Sequence, residues 1–279
     1  MKVSGREVAN AILKKLEKEI KRKNLKPALA IILAGNDPSS RIYVNNKIKA
    51  ALQIGIKAKL FEFSKSEYDK CLQTIQKLNK DRQYHGIIVQ YPTYGNWDFD
   101  NLAAKIDPKK DVDGFNPASP FAGATAMAVW EMLTAFAILE GFPKAENFLQ
   151  KKNIVVLGKG KTAGGPIIKM FRNNGFNPVV VDLQTKNPTA IIKKGMVLIS
   201  ATGVKNILNK TNVKKGSFVI GVGVGKELAE GKEKIYGDIN EEEISKLVKL
   251  YCPTIGGIGP LTIVSLLKNV VQSASHSSE

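Results

Sequence analysis

Ser40, Tyr43 and Lys47 stand at steps of three and four in the stretch Ser40-Arg41-Ile42-Tyr43-Val44-Asn45-Asn46-Lys47. A helix there puts a phenol ring and an amine on one face, one turn apart. Further along, Lys110-Asp111-Val112-Asp113-Gly114-Phe115 sets two carboxylates beside a glycine turn. A ring that can stack, an amine that can carry a proton and a carboxylate that can accept N–H bonds suit a pocket for a flat, nitrogen-rich heterocycle. Each residue also has an ordinary reading. Lys47 is either a surface lysine or a buried amine with a lowered pKa, able to carry protons near neutral pH. Tyr43 is core filler or a stacking plate, and Asp111 and Asp113 are turn formers or anchors. Gln90 ends the apolar run Ile87-Ile88-Val89. It is either a satisfied amide or a group at the edge where parallel sheets bind ligands.

A second centre begins where Ile154-Val155-Val156-Leu157 runs into Gly158-Lys159-Gly160-Lys161-Thr162-Ala163-Gly164-Gly165-Pro166. Gly158, Gly160 and Ala163 fit the G-x-G-x-x-G/A form, and Gly164 offers another point of close approach. A glycine turn between a strand and a helix leaves backbone N–H groups facing an incoming phosphate. Asp182, ending the next strand, stands where a dinucleotide fold places an acid on the adenosine ribose, which favours NAD. Lys159 and Lys161 pull toward NADP, because an ammonium there welcomes a 2′-phosphate. The sequence leaves NAD versus NADP open.

The elements that must position these groups read as two α/β lobes. Residues 8–20 have helical periodicity (Val8, Ala11, Ile12, Leu16, Ile20), followed by a strand at 28–33, a helix from about Ser40, a strand at 57–63, a helix at 68–80 and a strand at 86–90. That alternation implies a parallel sheet covered by helices. A long apolar helix over 125–140 follows a Pro/Gly-rich segment and reads as a buried connector. Strands at 153–157, 178–181, 196–200 and 217–222 and a helix at 166–173 make a second alternating unit, and an amphipathic helix over 261–273 closes the chain. The lobes are expected at 1–124, completed by the helix 261–279, and at 125–260.

Composition excludes several classes. At 279 residues, 43% hydrophobic and 24% charged, the chain has ample material for a core. No continuous apolar run reaches the roughly 18 residues of a membrane helix, and no secretion signal is visible. Cys71 and Cys252 lie far apart, and with only His85 and His276 a histidine metal site is not expected. A reducing cytoplasm is the expected setting. The net charge of +17 is carried almost wholly by lysine, with five arginines spread along the chain. Arginine is the better fork for phosphates and guanines, so a solvated surface that attracts anionic ligands is expected in place of a nucleic-acid interface.

Together these stretches resemble the bifunctional methylenetetrahydrofolate dehydrogenase/methenyltetrahydrofolate cyclohydrolase (FolD-type) family. The match runs nearly end to end: Ser40-x-x-Tyr43-Val44-x-x-Lys47-x-Lys49-Ala50, Gly55-Ile56, Gly86-Ile87-Ile88-Val89-Gln90-Tyr91-Pro92, the Lys110 to Phe115 string, Gly237-Asp238-Ile239 and Gly256-Gly257-Ile258-Gly259-Pro260-Leu261-Thr262. The resemblance implies a substrate lobe, a Rossmann-type NAD(P) lobe and a homodimer acting on tetrahydrofolate derivatives, with polyglutamylated forms served by a basic cleft. It implies that Tyr43 stacks on the folate ring, that Lys47 is the cyclohydrolase proton carrier tuned by Gln90, and that Asp113 accepts bonds from the pterin. It also implies substrate contacts from Ser40, Gly256, Gly257 and Pro260, and cofactor contacts from Gly158, Lys159, Gly160, Ala163, Gly164, Asp182 and Thr262. NADP is the family default.

The chain departs from that pattern in four places. The loop after Phe115 is short and lacks Pro-Cys-Thr-Pro, of which Thr125 alone survives. Gly158-Lys159-Gly160 replaces Gly-Arg-Ser, Gly221 replaces an aspartate, and Thr254-Ile255 replaces Val-Pro. These changes touch the dinucleotide side more than Lys47. The alternatives are therefore a cyclohydrolase alone, or a non-catalytic folate-binding relative with a weakened dinucleotide site. A different two-lobed NAD(P) dehydrogenase would leave Tyr43, Lys47 and the Asp113 string without a job.

Overall fold

A computed structural model describes residues 1–229 and 232–276. The chain forms two compact units, one built from Ala11–Ala124 and the chain from Ile263 onward, the other from Met1–Asn10 and Thr125–Thr262.

In the first unit, α1 (Gly5–Arg22), whose opening residues belong to the other unit, buries Leu13, Leu16 and Ile20 at helical spacing. Then come β1 (Ala28–Leu33), α2 (Pro38–Gln53), β2 (Lys57–Glu62), α3 (Tyr68–Lys80), β3 (Gly86–Val89) and the short α4 (Phe99–Ala104). The sheet order is β2-β1-β3, all parallel, with Ile31 opposite Leu60 on one side and Ile88 on the other. Every residue of β1 and β3 is buried, which is why both read as unbroken apolar runs. The core beneath them joins Ile32, Ile75, Ile87, Leu102 and Ile106.

The second unit runs through α5 (Ala124–Leu139), α6 (Ala145–Leu149), β4 (Ile154–Leu157), α7 (Gly164–Asn173), β5 (Val179–Val181), α8 (Pro188–Lys194), β6 (Val197–Ser200), β7 (Phe218–Gly221), the antiparallel ribbon β8 (Val224–Ala229) and β9 (Lys232–Gly237), α9 (Glu241–Ile244) and β10 (Leu250–Cys252). α10 (Gly259–His276) starts here and ends in the first unit. The five-stranded parallel sheet has the order β10-β7-β6-β4-β5. The direction of winding reverses between β4 and β6, and the crevice at such a reversal is where doubly wound sheets bind ligands.

The structure adds to the sequence reading in three respects. The first ten residues belong with the second unit. Val3 N donates to Tyr251 O (2.8 Å) and Tyr251 N to Met1 O (3.0 Å), so the N-terminus lies along β10. The elements α4, α6, α8, α9, β8, β9 and β10 are absent from the sequence reading, being short or, in the ribbon, rich in charge. The segment Thr254–His276 is long and apolar enough to cross a membrane (mean hydropathy 1.4), because its Ser, Asn and Gln are scattered among apolar residues; 61% of that window is buried inside the fold. The expected tail reaches beyond the described residues at 277–279, while Ser275 lies in α10.

Candidate active site

The Lys47 corner is built by α2 and the carboxyl ends of β1 and β3. Asp37 caps α2: one of its carboxylate oxygens accepts from Ser40 N and Ser40 Oγ, both at 2.8 Å, and Pro38 sets the first turn. Ser40, expected at the substrate, is thus buried in the cap with its hydroxyl engaged. From that start, Val44, Lys47 and Ala51 fall on the buried face. Lys47 is only 4% exposed. Its Nζ donates to Gln90 Oε1 at 2.9 Å and lies 5.4 Å from the Tyr43 ring centroid. Gln90 is held at two points, its backbone N–H donating to Ile32 O (2.8 Å) and its Nε2 to Tyr91 O (2.7 Å). With the NH2 end committed, the carbonyl end must face the amine. Burial lowers the Lys47 pKa below the ordinary lysine value, and the Asp113 carboxylate offsets part of that drop.

Asp113 and Asp111 do different work. Asp111 is buried and organises the loop: its two oxygens accept from Asn116 N (2.7 Å) and Gly114 N (3.2 Å), and Ser119 Oγ donates to its carbonyl (2.8 Å). Burial pushes its carboxyl up to about 6, against the pull of those backbone bonds. Asp113 is half-buried; burial raises its pKa and Lys47 pulls it down. Gly114 has φ +71°, and a Cβ there would stand 2.7 Å from Phe121 O, so the turn that presents Asp113 admits no side chain. Asn269 Nδ2 donates to Val112 O (2.8 Å) and Ser273 Oγ to His85 O (2.7 Å), tying α10 to this loop and to the start of β3. Sequence reasoning missed Asn269 and Ser273. Two polar residues four apart on the buried face of an apolar helix were the available signal.

In the second unit, Gly158 follows β4 with φ +89°, and a Cβ there would stand 2.4 Å from Ala201 O, after β6. A Cβ on Gly164 would meet Gly158 O at 2.2 Å. The loop is therefore bare backbone pressed between two strand ends. Ala163 leads into α7 with no side-chain cap; in the first turn Gly165 N donates to Gly160 O (2.9 Å) and Pro166 has no N–H. Gly160 has open space at its Cβ position. Asp182 ends β5 with one oxygen 2.7 Å from Lys159 Nζ and the other accepting from Gln184 N and Thr185 Oγ1, both at 3.0 Å. The Lys159 ammonium is the largest cause holding its carboxyl below the usual range. Asp238, unremarked as a site residue in the sequence, is fully buried beneath the same crevice. Its Oδ2 accepts from Ser200 Oγ (2.6 Å) and Thr202 N (2.8 Å), while Oδ1 has no partner among the described residues. The open glycine cradle, with bare backbone at the ends of β4 and β6, fits a dinucleotide.

Gly256, Gly257 and Pro260 lie in the turn Thr254–Ile258 and the first turn of α10. Thr262, expected at the cofactor, spends its hydroxyl on Ile258 O (3.1 Å) inside its own helix. Two of the departures from the family pattern are coupled by packing. A Cβ on Gly221 would stand 2.2 Å from Thr254 Oγ1, so the threonine fills the space of a larger residue. Among the described residues no three His, Cys, Asp or Glu side chains cluster as a metal site. Both cysteines are buried and free, with Cys71 pushed up to about 12.

The tetrahydrofolate dehydrogenase/cyclohydrolase catalytic-domain model matches residues 3–113, and the NAD(P)-binding-domain model of the same enzymes matches residues 124–278. The bifunctional protein FolD of Caldanaerobacter subterraneus subsp. tengcongensis is 34% identical over 99% of this chain and 98% of its own. A crystal structure of FolD from Campylobacter jejuni superposes with a TM-score of 0.89 at 32% identity, covering 99% of each chain. The Trypanosoma brucei enzyme, complexed with NADP cofactor and inhibitor, gives 0.90 at 28% identity, covering 100% of this chain and 98% of its own.

Proposed function

The chain belongs to the tetrahydrofolate dehydrogenase/cyclohydrolase family, and from that premise we propose how its own residues divide the work. It oxidises 5,10-methylenetetrahydrofolate to the 5,10-methenyl form with NAD(P)+ and hydrolyses that product to 10-formyltetrahydrofolate. Tyr43 stacks on the pterin, and Asp113 accepts from its amino group and ring N–H. Bound in the glycine loop, NAD(P)+ supplies the hydride acceptor. The loop residues Gly158, Gly160 and Gly164 and the start of α7 hold its phosphates, with Lys159 and Asp182 at the ribose end. For the oxidation the protein mainly aligns two rings and excludes water.

Hydrolysis needs a proton carrier. Water attacks the cationic methenyl carbon and loses one proton; when the resulting carbinolamine collapses, the leaving ring nitrogen gains a proton and the hydroxyl loses its own to solvent as the formyl C=O forms. A permanently charged lysine cannot take the water proton, whereas a desolvated neutral amine takes it and then, as the ammonium, returns it to the leaving nitrogen. The observation that carries this reading is the buried 2.9 Å bond from Lys47 Nζ to the fixed carbonyl of Gln90. That carbonyl orients the amine without adding a charge that would lock it as ammonium. The lysine-rich surface favours substrates with anionic glutamate tails. The reading carries with it a homodimer and a cytoplasmic location.

The test follows methenyltetrahydrofolate absorbance with NAD and NADP in parallel, alongside hydrolysis of supplied methenyl substrate. Production with either cofactor plus hydrolysis supports the two-step reading. Hydrolysis without production leaves a cyclohydrolase alone, and neither activity leaves a binding protein.

A further inference from the structure

The starts of β1, β2 and β3 gather at the edge of the first unit's sheet opposite the one that carries Gln90. A cavity of about 510 Å³ opens there, lined chiefly by Lys26, Lys57, Lys59, Gln83, Tyr84 and His85. It shares no lining residue with the Lys47 corner or the glycine loop. Its volume falls within the roughly 300–1,000 Å³ of small-molecule pockets.

The lining holds donors and no carboxylate. Lys57 and Lys59, two apart on β2, share one face of that strand. They and Lys26 are exposed, and none of the three has an ion-pair partner among the described residues. By contrast, Lys21, Lys23 and Lys70 each pair with a glutamate at 2.6 or 2.7 Å. Asp81, three residues before Tyr84, spends one carboxylate oxygen on Gln83 N (2.9 Å). His85 is fixed as a donor. Its Nδ1 accepts from Ala28 N (3.2 Å), so the ring proton must sit on Nε2, at the other edge of the imidazole. Burial, and then the charge of Lys110, lowers its pKa and keeps the ring neutral. Tyr84, half-buried and edge-on to Phe61 (6.2 Å between centroids), adds an aromatic ring to the wall.

We propose that this cavity binds a nucleoside polyphosphate, with its phosphates on Lys26, Lys57 and Lys59 and its base against Tyr84 and His85. Each ammonium is a point charge for a phosphate oxygen. An aromatic ring accepts any base by stacking, and the Nε2–H adds a donor to the base edge. The site does not depend on the folate or dinucleotide readings.

Imidazole NMR tests it locally, because His85 and His276 are the chain's only histidines and a His276→Gln variant assigns their signals. Titration with ATP shifts the His85 resonances saturably and leaves those of His276 in place. Adenosine binds at least about tenfold more weakly, the worth of one charge-assisted contact. Tripolyphosphate, which has no base to stack, also binds more weakly than ATP. In K57Q/K59Q the affinity for ATP falls by about tenfold or more, while K14Q/K18Q, equal in lost charge but on α1, keeps the wild-type value. All four positions are exposed, and an unchanged melting temperature checks that the fold is intact. The His85 shift persists in Gly158→Ala. No saturable His85 shift with ATP overturns the proposal. Equal weakening by K14Q/K18Q overturns it by reducing the effect to net charge, and loss of the shift in Gly158→Ala does so by placing the nucleotide at the glycine loop. Tripolyphosphate binding as tightly as ATP overturns the assignment of a nucleotide.

Discussion

Around Lys47 the chemistry is carried by buried side chains; around Gly158 it is carried by backbone from which side chains are missing. The first site works by desolvation. An amine that is 4% exposed, a doubly tethered amide and a half-buried acid set one another's protonation, and every member is a particular functional group. The second works by access. Gly158 and Gly164 have no room for a Cβ, and Lys159 and Lys161 there are solvent-facing. One site should therefore be sensitive to what a side chain is, and the other to whether there is one. The two reactions should come apart when either is changed.

The largest effect is expected from Lys47→Ala. Hydrolysis of methenyltetrahydrofolate should fall by about 10³-fold, the scale of a lost general acid–base group, while calorimetric affinity for adenosine nucleotides is unchanged. Comparable loss of both would erase the contrast between the sites.

Gly158→Ala reverses the pattern. The added methyl meets Ala201 O at a positive φ, a strain of about 1–3 kcal/mol. Nucleotide affinity should drop by about 10- to 100-fold, with hydrolysis of supplied methenyl substrate intact. Normal nucleotide binding in this variant would mean that the loop is not the cradle.

Gln90→Glu sharpens the first site. A carboxylate beside Lys47 favours its ammonium form and raises its pKa. Less neutral amine is then present at a given pH, so the acidic limb of the hydrolysis profile should move to higher pH, with activity recovering on the alkaline side. An unmoved limb would show that some other group titrates in the rate.

The smallest effect is on stability. Asp111 in the folded chain titrates at about 6, above its ordinary 3.8, so between those values the folded state holds a proton that the unfolded chain releases. Stability from this group is present at low pH and lost as pH rises through about 6. Denaturant titrations of wild type and Asp111→Asn should show the wild type's relative stability falling by about 2–3 kcal/mol between roughly pH 4 and 7. A difference independent of pH would mean that the carboxyl is not desolvated in the fold.

Much of this was legible from residue order because the informative elements are locally determined. β1 is six apolar residues between Pro27 and Ala34-Gly35, and α3 pairs a clear 3.6-residue period with lysines in its last turn, so both could be read. Tyr43 and Lys47 share a helix face by spacing alone. Contacts distant in sequence were not legible. Nothing near Met1 announces that it pairs along β10, 250 residues later, and Asn269 supports Val112 across 157 residues. Ser40 and Thr262 look like ligand groups by type, yet their hydroxyls are taken up by their own helices. Whether Lys47 is charged is a property of burial, which spacing suggests and only the packed structure decides.

Direct titration of Lys47 by NMR of its 13Cε resonance, assigned by comparison with Lys47→Ala, bears on the central claim without relying on turnover. The expected result is a midpoint clearly below that of the chain's surface lysines, because burial outweighs the Asp113 charge. Titration together with the surface lysines would contradict it: the amine would stay charged at neutral pH, and the proton carrier would have to be sought elsewhere.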